Sequence, residues 1–376
     1  MKLGVNGWRI HGKRTGVGRY LYNVVRYWDE SLVAGRFEEI NFYVPEPIDR
    51  SQTALPPNIR ERVLRPRSRM LLWENLRFGP AARDGVLFCP GYSRPLVARG
   101  RTVVTIFEAT LKLYPQYFPR ADWYTVPELY LKLYEWSGHH ATLVLTSTEA
   151  GRRDVSKAYG IPAGKIRVVS LAPPEDFRPL GDDPRLSAVR KKHFGRDIPF
   201  FLYVGKMTPR RNVPLLMEAF AEFQAGSSVP HGLLAVGLNT VHFDLAAHAR
   251  ELSLGDGFVH LEYVSDEDLM LLYNAAEAFV IPYTYEALSL PTLEAQACGL
   301  PVITVDTPGL REMTGGKAIL LQAPEIGEIR DGLKLLAGDE ALRRKLSQEG
   351  LAFASQFSWR RTARETLDVL EEAARM

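Results

Sequence analysis

The run Glu286-Ala-Leu-Ser-Leu-Pro-Thr-Leu-Glu294, continued by Ala295-Gln-Ala-Cys-Gly-Leu-Pro-Val-Ile-Thr304, decides how this chain of 376 residues is read. Pro291 is pre-set for the first turn of a helix, so the backbone N–H groups of Leu288, Ser289 and Leu290 crowd a helix N-terminus, which favours an anion. Glu286 then stands on the loop before the helix and Glu294 in its first turn, flanking the anion site. Carboxylates repel phosphate but accept hydrogen bonds from hydroxyls. The arrangement suits phosphates lying between two hydroxyl-rich rings, as in a nucleotide sugar. The plainer alternative makes Glu286 a loop cap and Glu294 a solvated acid favoured by the helix dipole. Beyond them, small residues continue the helix, Gly299 ends it, and Val302-Ile-Thr304 reads as buried strand.

Short apolar, β-rich runs alternate with helical patterns along the rest of the chain, which predicts α/β organisation with parallel sheets. In the first half the strands are expected at Lys2–Val5, Ile40–Val44, Val86–Phe88, Val103–Ile106, Leu143–Leu145 and Arg167–Val169. A polar stretch from Pro173 to Pro184 breaks the pattern and marks a domain boundary. A second series follows at Phe200–Val204, Leu233–Val236, Phe258–Leu261, Ala278–Ile281 and Val302–Thr304.

Composition fits a soluble two-domain enzyme, with 46% hydrophobic and 24% charged residues. Cys89 and Cys298 stand in apolar surroundings without metal-like spacing, the pattern of buried free thiols in a reducing compartment. The start lacks a signal-peptide core and no run approaches the length of a membrane span, so a cytoplasmic protein is expected. Residues 1–180 carry 27 Lys/Arg against 17 Asp/Glu, whereas residues 181–376 carry 20 against 27. A basic N-terminal half is suited to an anionic membrane surface or an acidic acceptor; no nucleic-acid-binding motif accompanies the charge, so nucleic acid is not an expected partner. Arg60, Arg62, Arg65, Arg67 and Arg69, with the aromatic stretch Tyr114, Trp123, Tyr124, Tyr130, Tyr134 and Trp136, are the candidate surface for peripheral association. The alternative is a solvated arginine loop over an aromatic core.

Three further constellations bear on chemistry. Gly12-Lys-Arg-Thr-Gly16-Val-Gly18-Arg-Tyr20 joins the first strand to a helix, and glycines there let backbone approach a phosphate. Leu21 stands where the third glycine of a dinucleotide fingerprint would be, which disfavours an oxidoreductase. Tyr203-Val-Gly-Lys206-Met-Thr-Pro-Arg210-Arg211-Asn212 places cations where strand gives way to helix; they either clasp a diphosphate or form a solvated basic turn. Asp266-Glu-Asp268 fits a D-x-D metal motif, but Leu269, Leu272 and Tyr273 follow at helical spacing, so an N-cap with first-turn acids explains it better. The histidines, among them His139, His140, His242 and His248, form no ligand-spaced cluster, and no metal is expected.

Taken whole, 286–304 resembles the signature of the family-4 retaining glycosyltransferases with the GT-B fold, usually E-G-F-G-L-P-x-L-E-A-x-A-C-G-x-P-V-I. The resemblance implies an α/β chain of two Rossmann-like doubly wound domains facing a central cleft. These are an acceptor-side domain over 1–178 and a nucleotide-sugar-binding domain over 179–357, with a last helix at about 358–376 crossing back onto the first. It implies retaining, metal-independent transfer of a sugar from a nucleoside-diphosphate sugar to a hydroxyl of a glycan, lipid-linked or small-molecule acceptor, as in polysaccharide or glycoconjugate biosynthesis. No cofactor is implied beyond the donor substrate. By the same resemblance Lys206 and Arg211 clasp the diphosphate, Glu286 holds sugar hydroxyls, Glu294 holds the ribose, and Val264, in Glu262-Tyr-Val264, frames the base. The amides of Leu288, Ser289 and Leu290 and the loop residues Gly16, Val17 and Gly18 join them at the donor. Relatives carry V-G-R and P-x-K-N where this chain has Lys206 and Arg211, so both cation types are exchanged while both charges persist. They also carry His-Asp where this chain has Phe107-Glu108, and a phenyl ring cannot make an imidazole's hydrogen bonds. Either the donor sugar lacks the hydroxyl which that histidine meets, or turnover is weakened, or Phe107 is a packed strand end. A nucleotide-sugar epimerase or hydrolase and a nucleotide-sugar-binding protein of reduced activity are the alternative functions on this scaffold.

Overall fold

The computed structural model describes residues 1–11, 16–51, 53–117, 127–240 and 243–376. Gly12 to Thr15 of the glycine loop, Trp123 and Tyr124 of the aromatic stretch, and His242 lie outside the described residues. The chain divides into two compact units, one of Met1–Leu171 with Ser358–Met376 and one of Ala172–Phe357. The division falls at Leu171/Ala172 instead of at 178/179. Phe177 already packs its ring against Tyr273 of the second unit (5.9 Å), and the Leu180 N–H donates to Asn274 Oδ1 (2.8 Å). The proline-rich stretch therefore belongs to the second core.

The first unit contains β1 (Lys2–Asn6), β2 (Glu39–Val44), β3 (Ile59–Val63), β4 (Val86–Cys89), β5 (Arg101–Thr105), β6 (Leu143–Thr146) and β7 (Ile166–Val168). They pair in parallel in the order β3-β2-β1-β4-β5-β6-β7. The central strands β1, β4, β5 and β6 are buried almost throughout because both faces of a parallel sheet are covered. At the edge, β3 reads Ile-Arg-Glu-Arg-Val and is largely exposed, so it has no apolar run to announce it. The Trp359–Arg375 helix completes this unit. The Trp28 indole N–H donates to the Ala363 carbonyl (3.1 Å), and the Thr362 hydroxyl donates to that of Ser170 (2.7 Å).

The second unit contains β8 (Phe200–Val204), β9 (Gly232–Val236), β10 (Phe258–Leu261), β11 (Ala278–Ile281), β12 (Val302–Val305) and β13 (Ile319–Leu321), in the order β10-β9-β8-β11-β12-β13. Again every pairing is parallel. Each sheet winds outward in one direction, then restarts beside its first strand and winds the other way. The loops after β1 and β4, and those after β8 and β11, therefore leave the sheets side by side. Such reversals are where open α/β sheets hold ligands.

Candidate functional site

In the second unit the loop after β8 is fixed to the loop after β11 by Asn212, whose Nδ2 donates to the Pro282 carbonyl (2.7 Å) and to Thr284 Oγ1 (2.9 Å). Asn212 adopts φ +53, a left-handed conformation that asparagine tolerates better than most residues, and it opens the Val213–Ala225 helix. Between β8 and Asn212 the chain carries three cations. The Lys206 ammonium is exposed and enters no ion pair among the described residues. Arg211 folds back, with Nη1 donating to the Lys206 carbonyl and Nη2 to Glu286 Oε2 (both 3.0 Å), and its guanidinium lies over the Tyr283 ring (4.9 Å). Gly205 makes room for it. A Cβ there would come within 2.5 Å of Tyr283 Oη and 2.9 Å of Arg211 Nη1.

Arg210 is buried, and its Nη1 donates to the Tyr285 carbonyl (2.6 Å) and to the same Glu286 Oε2 (3.0 Å). One carboxylate oxygen is thus shared by two guanidinium groups, and the loops carry more positive charge than the single buried carboxylate neutralises. Burial works against the charge of Arg211, but Tyr283 and Glu286 outweigh it and hold the pKa above the ordinary guanidinium value. Its Nε–H is buried without a hydrogen-bond partner among the described residues. Surplus cations with an unused donor suit an anion that can accept bidentate hydrogen bonds.

The anion site read from Pro291 has the expected local form. The helix runs Leu290–Ala297 with Ser289 as a cap residue making no side-chain cap bond. The N–H groups of Leu288, Ser289 and Leu290 donate to no oxygen among the described residues. Glu294 differs from expectation. As the fifth residue of this helix it lies beyond the first turn, it is buried, and its Oε2 accepts from Tyr273 Oη (3.1 Å). A helix beginning one residue before Pro291 carries position 294 around to the core side. Val264 is partly buried against the same core, and Ser265 caps the next helix by accepting from the Asp268 N–H (3.0 Å), which accounts for Asp266-Glu-Asp268 as first-turn acids.

Gly16, Val17, Gly18 and Phe107 belong to the first unit. Gly16 has φ +50 at the start of the Val17–Val25 helix, and Gly18 lies so close to the Arg9 carbonyl that a Cβ would meet it at 2.6 Å. Phe107, 7% exposed, is wedged edge-on between Tyr20 (4.9 Å) and Tyr92 (6.3 Å), so a strand-end packing role is visible. Nearby, at the β1/β4 reversal, Glu74 is 1% exposed. Its Oε2 accepts from Asn6 Nδ2 (2.9 Å) and Ser93 Oγ (3.2 Å), while Oε1 is buried with no partner among the described residues. Burial raises its pKa to about 7, against the lowering pull of the Ser93 bond, Arg9 and Arg94. Glu74 opens a π-helical turn, Glu74–Phe78, a distortion frequent at functional sites.

The fold built from these two units has close counterparts. Sucrose-phosphate synthase from Thermosynechococcus elongatus superposes with a TM-score of 0.74 at 18% identity, covering 99% of this chain and 98% of that one. The Anabaena HepE structure solved with UDP-glucose also gives 0.74, at 16% identity and 98% coverage of both chains. This is the GT-B fold. Residues 187–352 match the family of glycosyl transferases group 1. Escherichia coli O-antigen chain mannosyltransferase B is 26% identical over 371 residues, spanning 94% of this chain and 95% of that protein. The chain thus has the GT-B fold, is similar across most of its second unit to glycosyl transferases group 1, and is similar over nearly its whole length to a mannosyltransferase of O-antigen chains.

Two contributors escaped the sequence reading, Tyr283 and the tie made by Asn212, and Arg210 reads there as one of three cations at a diphosphate and not as a partner of Glu286. The cation at 210 was visible; its partner, 76 positions away, was not.

Proposed function

We propose that the chain transfers a sugar, with retention of anomeric configuration and without a metal ion, from a nucleoside-diphosphate sugar to a hydroxyl of a growing glycan or lipid-linked acceptor. The observation that carries this reading is the surplus of cations at the β8/β11 reversal, Lys206 and Arg211 beside Glu286, next to unpaired amides at 288–290. When the bond from the anomeric carbon to the diphosphate breaks, negative charge gathers on the leaving oxygen, where fixed cations and N–H donors stabilise it. The acceptor oxygen forms its bond on the face that the diphosphate leaves, and its proton passes to a phosphate oxygen. Lys206 and Arg211 supply the neutralisation that a divalent ion would otherwise bring.

Glu286 Oε2 is occupied by two arginines, so its other oxygen is the one to receive a sugar hydroxyl. Glu294 is the candidate for the ribose, Val264 for the base, and Gly16, Val17, Gly18 and Phe107 for the donor from the first unit. The likeness to a mannosyltransferase favours a mannosyl donor. Phe107 favours a methyl over a hydroxymethyl group where relatives have histidine, so a 6-deoxy sugar is the competing donor. A basic first unit also favours acceptors held at a membrane.

The test is product analysis in the presence of a chelator. Transfer with retained configuration, undiminished by removal of divalent ions, is the expected result. Inversion, or full dependence on added metal, overturns the mechanism; release of free sugar or an epimerised donor in place of a glycoside overturns the transfer.

A further inference from the structure

The segment between β3 and β4 has two unlike sides. Residues 70–81 form one helical stretch whose inner side buries Trp73 and Phe78, their rings stacked at 5.8 Å, against the first sheet. On the outer side Leu72 and Leu76, spaced to share a helical face, are 52% and 64% exposed. The loop after β4 adds Leu96 and Val97, 57% and 70% exposed. This loop is fastened to the helical stretch. The Leu96 N–H donates to Asn75 Oδ1 (2.8 Å), and a Cβ on Gly79 would fall 2.7 Å from Pro95 Cβ and 2.8 Å from the Val97 carbonyl. Four large apolar side chains therefore lie on one flank, each more than half exposed.

The exposed charge of the segment that builds this flank has a single sign. From Leu64 to Arg101 the chain carries eight arginines and two acids, and both acids, Glu74 and Asp84, are buried. All the arginines except Arg94 are exposed. The arginines first expected to form the surface are partly spent elsewhere, since Arg60 and Arg62 pair with Glu39 and Arg67 with Glu46.

We propose that this flank, with Leu72, Leu76, Leu96 and Val97 at its centre and Arg69, Arg77 and Arg99 around them, docks on an anionic lipid surface. Aliphatic side chains enter the boundary between headgroups and acyl chains while arginines meet lipid phosphates. A second copy of the chain is disfavoured as the occupant, because like arginine rims would be pressed together. The inference rests on the reading that the acceptor is held at a membrane, and adds where the protein meets it.

Flotation of the full chain with phosphatidylcholine vesicles, with and without phosphatidylglycerol, tests it. The parent protein is expected to float with the anionic vesicles and to be released by salt. Leu72→Ser with Leu76→Ser should lower partitioning at least tenfold, and Arg77→Glu with Arg99→Glu should abolish the dependence on anionic lipid. Both variants should keep nucleoside-diphosphate binding and transfer to a water-soluble acceptor, which shows that they fold. Arg344→Glu, on the second unit, should float as the parent does. Failure of the parent to float at low salt removes the surface and the membrane reading together. Flotation of all variants like the parent overturns the surface and leaves the membrane reading standing.

Discussion

At the β8/β11 reversal the second unit gathers Lys206, Arg210 and Arg211 about the carboxylate of Glu286, whereas at the β1/β4 reversal the first unit encloses Glu74 among Asn6 and Ser93 with one oxygen unmatched. The topology is the same in both places. In the second unit the charges overcompensate and one cation reaches solvent, so the site is prepared for an anion from outside. In the first, burial outweighs the pull of Arg9 and Arg94, and the carboxyl keeps its proton up to near neutrality. Strand order sets where a ligand can sit; the residual charge decides whether one is attracted.

Removing Lys206 and Arg211 together should break this contrast most severely. Each charge-assisted hydrogen bond contributes about 1.5–3 kcal/mol, so Lys206→Ala with Arg211→Ala should eliminate detectable nucleoside-diphosphate binding in calorimetry. A double variant that binds as tightly as the parent would show the clasp to be misplaced.

In the first unit the contrast is sharpened by pH. The folded-state pKa of Glu74 is raised from 4.5 to about 7, so the folded protein binds more protons than the unfolded chain between those values, and stability falls as pH rises through that window. Above it the deficit is constant at roughly 3 kcal/mol. Glu74→Gln keeps the carbonyl acceptor without the charge. It should match the parent in urea unfolding near the lower value and exceed it by up to that amount at pH 8; equal stabilities at both pH values would contradict the assignment.

Arg210 permits a finer cut within the second unit. It holds Glu286 but, being buried, is not expected to touch phosphate, so Arg210→Gln should weaken donor-sugar recognition about tenfold, ~1.4 kcal/mol, while nucleoside-diphosphate affinity stays within a few-fold. Parallel loss of both would mean that the substitution disturbs the whole loop. The smallest effect is expected at Phe107. Leaving a hydroxyl unsatisfied costs about 1–3 kcal/mol, and Phe107→His should recover the lower part of that for a hydroxylated donor over its 6-deoxy counterpart. Competing the two donors for one acceptor measures it, and an unchanged ratio would assign Phe107 to packing alone.

Much of the architecture was legible because parallel strands buried on both faces leave apolar runs, as Phe200–Val204 and Ala278–Ile281 do. Two of the four edge strands were not: every middle position of β3 is charged, Arg60, Glu61 and Arg62, and β13 is three residues long. The site was half legible. Pro291 fixed the helix start and hence the free amides, a local effect of ring geometry. The sharing of Glu286 by two arginines is a long-range contact with no local signature, and neither was the outward turn of Leu72 and Leu76, whose spacing is equally that of a helix facing a core.

The first unit is discontinuous along the chain, since its final helix follows the whole of the second unit. During synthesis, then, Trp28 must wait for the Ala363 carbonyl, and the Ser170 carbonyl for the Thr362 hydroxyl, while the second sheet is already complete. The second unit can fold as it leaves the ribosome; the first has to be held, partly uncovered, until residues 358–376 are free to return to it.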